Sequence, residues 1–188
     1  MRLGTILAVA LVATIGLGAT DRAAAGRNRD DVTSIDYGQY LIKSTTRQEV
    51  SYNGNHRPGT IIVDTGERVL YLVLKDKRAI RYGIGVGREG FSWSGTLPVS
   101  RKAEWPGWTP PNEMRKRQPW LPSYVPGGPE NPLGARALYL GSTLYRIHGT
   151  NEAHTIGRAV SSGCIRMLND DVIDLYQRVR VGATVIVR

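Results

Sequence analysis

A single cysteine, Cys164, occurs in 188 residues, so no disulfide can form within the chain. None lies near the N-terminus, which excludes a lipidated N-terminal thiol. No internal repeat or low-complexity tract is visible, which excludes a solenoid or propeller, and no recognisable wall-binding repeat is appended. Acidic residues are in short supply, 16 against 25 lysines and arginines, for a net charge of +9. A chain of this balance is drawn to polyanions. Its basic residues are scattered rather than massed in one stripe, and neither zinc-finger spacing nor a stacking motif accompanies them, so nucleic acid is not the expected partner.

The first residues read as an export signal. Arg2 supplies a positive start, residues 3–20 form an uncharged apolar run, and Ala23-Ala24-Ala25 offers a small-residue cleavage site. Cleavage after Ala25 is expected, which would place the mature protein in the periplasm or cell envelope, touching the membrane only through its leader. An uncleaved anchor is the competing reading of the same run, weakened by its glycines, threonines and alanines. Cleavage removes Arg2, Asp21 and Arg22, leaving 23 basic and 15 acidic residues, a balance of +8 that suits an anionic envelope.

Residues 26–59 are polar and turn-rich and read as an arm or linker, although Tyr37, Tyr40, Leu41 and Ile42 are apolar enough for part of it to dock. From residue 60 to 188 the chain reads as one domain. Short runs rich in Val, Ile and Tyr, split by turn residues, predict strands over 60–64, 69–74, 79–86, 96–102, 137–140, 143–148 and 183–187. Near the end Asn169 is placed to cap a helix, with Asp170 and Asp171 in its first turn and Val172, Ile173, Leu175, Tyr176 and Val179 on its apolar side. The fold class that follows is mainly β (α+β), an antiparallel sandwich or partly closed barrel with a C-terminal helix and one long loop. That loop, residues 104–134, carries Trp105, Trp108 and Trp120 and reads either as a structured lid or as a proline-pinned loop with core tryptophans.

An odd cysteine in an exported protein is an intermolecular link or a free reactive thiol. Cys164 follows Ser161-Ser162-Gly163, small residues that let a substrate approach the sulfur. The thiolate is the nucleophile, so a base or positive charge must stand nearby. Of the three histidines, His148 ends an apolar strand, where a ring can be held rigidly, whereas His56 and His154 lie in polar segments and read as surface residues. From the residues alone, a satisfied strand histidine and an inert core cysteine stay open as alternatives. A zinc site from His148, His154 and Cys164 matches no common spacing and lacks an evident fourth ligand.

The segments Ile147-His148-Gly149-Thr150-Asn151 and Ala159-Val160-Ser161-Ser162-Gly163-Cys164-Ile165-Arg166-Met167 resemble the active-site motif of the L,D-transpeptidase (YkuD-like) catalytic domain. The likeness extends upstream through residues 105–111 and 131–141. It implies a cysteine acyltransferase needing neither metal nor cofactor. Cys164 would be acylated by a peptidoglycan tetrapeptide stem with release of D-alanine, and the acyl group would pass to an amine of a second stem, giving a 3-3 cross-link, or to a lysine of an envelope lipoprotein. His148 would be the base, the Gly149 carbonyl would orient its ring, and amides at Gly163 and Cys164 would hold the oxyanion. Ser161, Ser162, Arg166 and Trp108 would contact substrate. The family's usual histidine before Gly-Cys and asparagine two residues after the cysteine are replaced by Ser162 and Arg166. Arg166 reads as a fork for a substrate carboxylate or as a surface arginine. A monomer is expected. Water as acceptor would make the chain a carboxypeptidase or amidase-type hydrolase, and an inert cysteine would leave an envelope-binding module. A sortase-like enzyme needs a different cysteine context.

Overall fold

In the computed structural model, which describes residues 45–188, alternating apolar runs build a nine-stranded sheet in the order β1-β4-β3-β2-β11-β6-β7-β8-β10. The strands are β1 (Gln48–Ser51), β2 (Ile61–Asp64), β3 (Val69–Val73), β4 (Arg78–Gly83), β5 (Val86–Gly87), β6 (Gly95–Glu104), β7 (Arg136–Leu140), β8 (Arg146–His148), β9 (Ala159–Ser161), β10 (Ile165–Arg166) and β11 (Thr184–Val187). Strands β5 and β9 form a separate parallel pair. Two helices are described, α1 (Asn112–Arg117) and α2 (Asn169–Arg178), with a 3-10 turn at Ala153–Thr155. The expected leader, 1–25, and residues 26–44 of the expected arm lie outside the described residues. Among the described residues no helix is long and apolar enough to cross a membrane.

The sheet does not close on itself, and one apolar cluster serves both of its halves. Ile61, Leu70, Leu72 and Ile80 from β2 to β4 share it with Leu138, Ile147 and Ile165 from β7, β8 and β10, and with Val172 and Leu175 of α2. A sandwich-like arrangement, mainly β, is therefore borne out. The long β6 links the halves, with a register irregularity between Val99 and Arg101, the kind of local break that lets a strand turn a sheet's corner. The expected charged turn after β3 is tight, with Asp76 and Lys77 both at positive φ, as a two-residue hairpin of matching twist requires.

Three expectations shift. Residues 48–51, within the segment read as an arm, add an edge strand by pairing antiparallel with β4, which is polar enough to look like a linker. The segment 143–148 is extended only from Arg146. Asn169 does not cap α2, since no side-chain cap bond is present; its Oδ1 instead accepts the Ala135 N–H at 2.9 Å. The long loop is structured. Trp108 and Val125 exchange both backbone bonds at 2.8 Å, and buried Asn131 donates to the Val125 and Pro126 carbonyls at 3.0 and 2.8 Å while accepting from the Leu133 amide at 2.8 Å. Its tryptophans are not core: Trp105 and Trp120 are exposed.

Candidate active site

Parallel pairing of β8 with β10 sets Ile165 beside Ile147 and Arg166 beside His148. Both isoleucines are buried in the core. Side chains alternate along a strand, so His148 and Arg166 project from the other face, and one step back the same register sets Cys164 beside Arg146. Cys164 and His148 are thereby diagonal neighbours on one face. The half-buried Cys164 directs its Sγ toward the Leu144 carbonyl, 3.7 Å away.

The His148 ring is buried, and its Nδ1 lies 2.5 Å from the carbonyl oxygen of Gly149. A carbonyl only accepts, so Nδ1 carries the proton and Nε2 keeps its lone pair. Gly149 has to be glycine: a Cβ there would strike Asn169 Oδ1 and crowd Val172. Asn169 thus packs closely against Gly149 from α2. Burial is the main cause holding the imidazole down to about 3, helped by the positive charges of Arg166 and Arg146, while the Gly149 and Leu133 carbonyls pull the other way. Burial likewise pushes the Cys164 thiol up, opposed chiefly by the neighbouring Arg146 guanidinium. At rest the pair is a neutral thiol and a neutral imidazole.

The turn before the cysteine is clasped from both sides. Ser161 Oγ donates to the Cys164 carbonyl at 2.5 Å and accepts the Gly163 N–H at 3.2 Å. Trp93 Nε1 donates to the Gly163 carbonyl at 2.8 Å, and the same indole stacks on Tyr145 with centroids 4.4 Å apart. Gly163 sits at φ +105°, and a Cβ on it would lie 2.6 Å from the Tyr145 ring. Only glycine fits here.

A family model for the L,D-transpeptidase catalytic domain, YkuD, matches residues 58–187. The chain belongs to this L,D-transpeptidase family. Over 134 residues it is 45% identical to the probable L,D-transpeptidase ErfK/SrfK of Escherichia coli K12, a match covering 66% of this chain and 42% of that protein. The chain thus spans under half the length of that curated relative. An L,D-transpeptidase structure from Mycobacterium smegmatis, 17% identical, shares the fold at a TM-score of 0.55 over 69% of this chain and 58% of its own. A crystal structure from Brucella melitensis, described as a probable carnitine operon oxidoreductase caia, is 46% identical with a TM-score of 0.52, covering 73% of this chain and 90% of that one.

Against this L,D-transpeptidase frame, four of the expected contact residues take particular places. Ser161 is buried with its hydroxyl engaged on both sides, which shapes the loop before the cysteine. The Gly163 N–H is given to that hydroxyl at 3.2 Å. Arg166 is not an open fork, because its Nη1 pairs with Glu152 Oε2 at 2.7 Å. Trp108 anchors the long loop through its backbone. Ser162 is half-buried, with Arg88 Nη1 3.4 Å from its Oγ. His56 bonds the Tyr52 hydroxyl at 2.5 Å, away from Cys164. Among the described residues no three His, Cys, Asp or Glu side chains cluster to hold a metal. Trp93, Tyr145, Arg146 and Arg88 were not singled out from sequence. The only signal for Trp93 was that it is the one tryptophan outside the long loop.

Proposed function

We propose that the chain is a peptidoglycan L,D-transpeptidase of the cell envelope, with Cys164 as nucleophile and His148 as general base. The observation that carries this is the shared strand face of the two side chains, together with the commitment of His148 Nδ1 to the Gly149 carbonyl, which leaves Nε2 as a base. Sγ bonds to the carbonyl carbon of the third stem residue as its proton passes to Nε2. The oxyanion is met by the Cys164 amide. Collapse breaks the C–N bond to the terminal D-alanine, which leaves with the proton from Nε2, and a thioester remains. An acceptor amine then attacks the thioester, gives its proton to Nε2, and the sulfur regains a proton as it departs.

A neutral resting pair suits this sequence, because an imidazole held as a cation could not take the thiol proton. The acceptor is a second stem peptide, giving a 3-3 cross-link, or an envelope-protein lysine. The export-signal pattern of residues 1–25 and the positive net charge support an envelope location. The oxidoreductase description of the Brucella melitensis protein finds no thiol couple here, since one cysteine cannot cycle with a partner in the same chain.

Intact-mass measurement after incubation with a tetrapeptide fragment tests the reading. A mass gain with matching release of D-alanine is expected, absent in Cys164→Ala and strongly slowed in His148→Gln. A gain that survives in Cys164→Ala would sink the nucleophile assignment.

A further inference from the structure

Beside the nucleophile turn stands a cationic surface that the mechanism above does not use. The segment following β5 folds back on residues 161–163: the Arg88 N–H donates to the Ser161 carbonyl at 3.0 Å, and Phe91 N–H closes the turn on the Arg88 carbonyl at 2.9 Å. The Phe91 carbonyl lies against Gly163. The Phe91 ring carries two guanidinium groups, with Arg88 Cζ 4.1 Å and Arg117 Cζ 5.9 Å from its centroid. Arg88 is also the residue touching Ser162 Oγ, at 3.4 Å, two positions before the sulfur. Arg117 arrives from the last turn of α1, so the long loop meets the nucleophile turn at this ring.

Among the described residues neither arginine has a carboxylate within ion-pair distance, although eight such pairs form elsewhere, including Arg166 with Glu152 beside the site. The adjacent Glu89 is exposed and pairs with neither. An aromatic ring holds a guanidinium plane while leaving its N–H fork free, and that fork fits a carboxylate.

We propose that Arg88 and Arg117, gathered on Phe91 next to the Ser162-Gly163-Cys164 turn, bind a free carboxylate of the donor stem peptide and make this enzyme selective for stems that are not amidated there. The proposal rests on the transpeptidase reading of Cys164. Two carboxylates share the required chemistry, the terminal one of the leaving D-alanine and a side-chain carboxylate on the third residue.

The test uses the full chain and three tetrapeptide donors: one with both carboxylates free, one with the side-chain carboxylate amidated and one with the terminal carboxylate amidated. Acylation is followed by intact mass. Wild type is expected to favour the free donor over one of the amides by roughly ten-fold, mostly in KM; the amide that loses rate identifies which carboxylate is read. In Arg88→Gln/Arg117→Gln that preference falls below about two-fold. Alkylation of Cys164 by iodoacetamide should stay within about two-fold of wild type in this variant, a readout that mere collapse of the turn would move. Arg117→Gln alone, on an exposed helix, should lose part of the preference without touching the turn. A wild-type enzyme that acylates equally with all three donors overturns the inference and leaves the transpeptidase reading standing, as does a preference undiminished in the double variant. Acylation by none of them overturns both.

Discussion

Trp93 Nε1 donates to the carbonyl of Gly163 at 2.8 Å, so an indole from the segment after β5 holds the residue immediately before the nucleophile. The same ring is stacked on Tyr145, next to Arg146 on β8, so one side chain ties the turn to the strand that carries the base. Trp93→Phe keeps an aromatic surface for Tyr145 and removes the donor. It is expected to cost about 1 kcal/mol of stability and to slow acylation of Cys164 by roughly ten-fold. Thermal unfolding and the intact-mass time course measure the two; a variant slowed less than two-fold would show that the bond does not position the turn.

Ser161 gives a second handle on the same turn. Its hydroxyl bridges the Gly163 amide and the Cys164 carbonyl from a buried position. Ser161→Ala leaves a buried donor and a buried acceptor without that partner, and a loss of about 1 to 3 kcal/mol is expected. Acylation should fall with it, because the turn that carries Cys164 loses the clasp that positions it. Equal stability of Ser161→Ala and wild type in urea unfolding would refute the bridge.

The state of the sulfur is open to direct measurement. Burial pushes the Cys164 thiol up and holds His148 down to about 3, so no thiolate-imidazolium pair is populated at neutral pH. The rate of alkylation by iodoacetamide should therefore climb with pH beyond the ordinary thiol range, with no plateau between about pH 5 and 7. A plateau there would reveal an ion pair. Arg146→Met removes the cation that most opposes the upward shift, so its alkylation curve should move to still higher pH.

Much of this was legible in the sequence, and the misses have physical reasons. Short apolar runs split by turn residues point to the seven principal strands because these strands are buried along nearly their whole length, as in the β3 run Val69–Val73. Composition and position single out Cys164 and His148 but leave their pairing open, the family resemblance of the motif is what implies it, and their common strand face gives it a geometry. Edge strand β1 escaped because an edge needs little apolar content, and Gln48 and Glu49 hide it. Short β9 and β10 carry too few residues for a period to show. Asn169 was read as a cap because its local sequence invites one; a partner 34 residues away, Ala135, claims its side chain instead. The roles of Trp93, Arg88 and Arg146 depend on contacts across 70, 74 and 18 positions, which no local pattern reports.

Two buried titratable groups should bend the stability profile in opposite directions. His148 has its folded value depressed from 6.5 to about 3, so the unfolded chain binds the extra proton between those values and stability falls as pH drops through them. Asp171, buried with Oδ2 unpartnered and with Arg47 Nη1 3.7 Å from Oδ1, is raised from 3.8 to about 6. The folded chain holds its extra proton in that window, so stability falls as pH rises through it. Each slope is about 1.4 kcal/mol per pH unit, and they offset one another where the windows overlap. Asp171→Asn removes one of them. That variant should exceed wild type by about 2 kcal/mol at pH 7, since the buried charge is gone, and lose the advantage towards pH 4. Its own stability should then fall steeply on acidification below pH 6.5, the slope that belongs to His148 and that vanishes in Asp171→Asn/His148→Gln. Urea unfolding at about pH 4, 5.5 and 7 separates the cases, and an Asp171→Asn variant less stable than wild type at pH 7 would mean that the Arg47 ion pair outweighs the burial of the carboxylate.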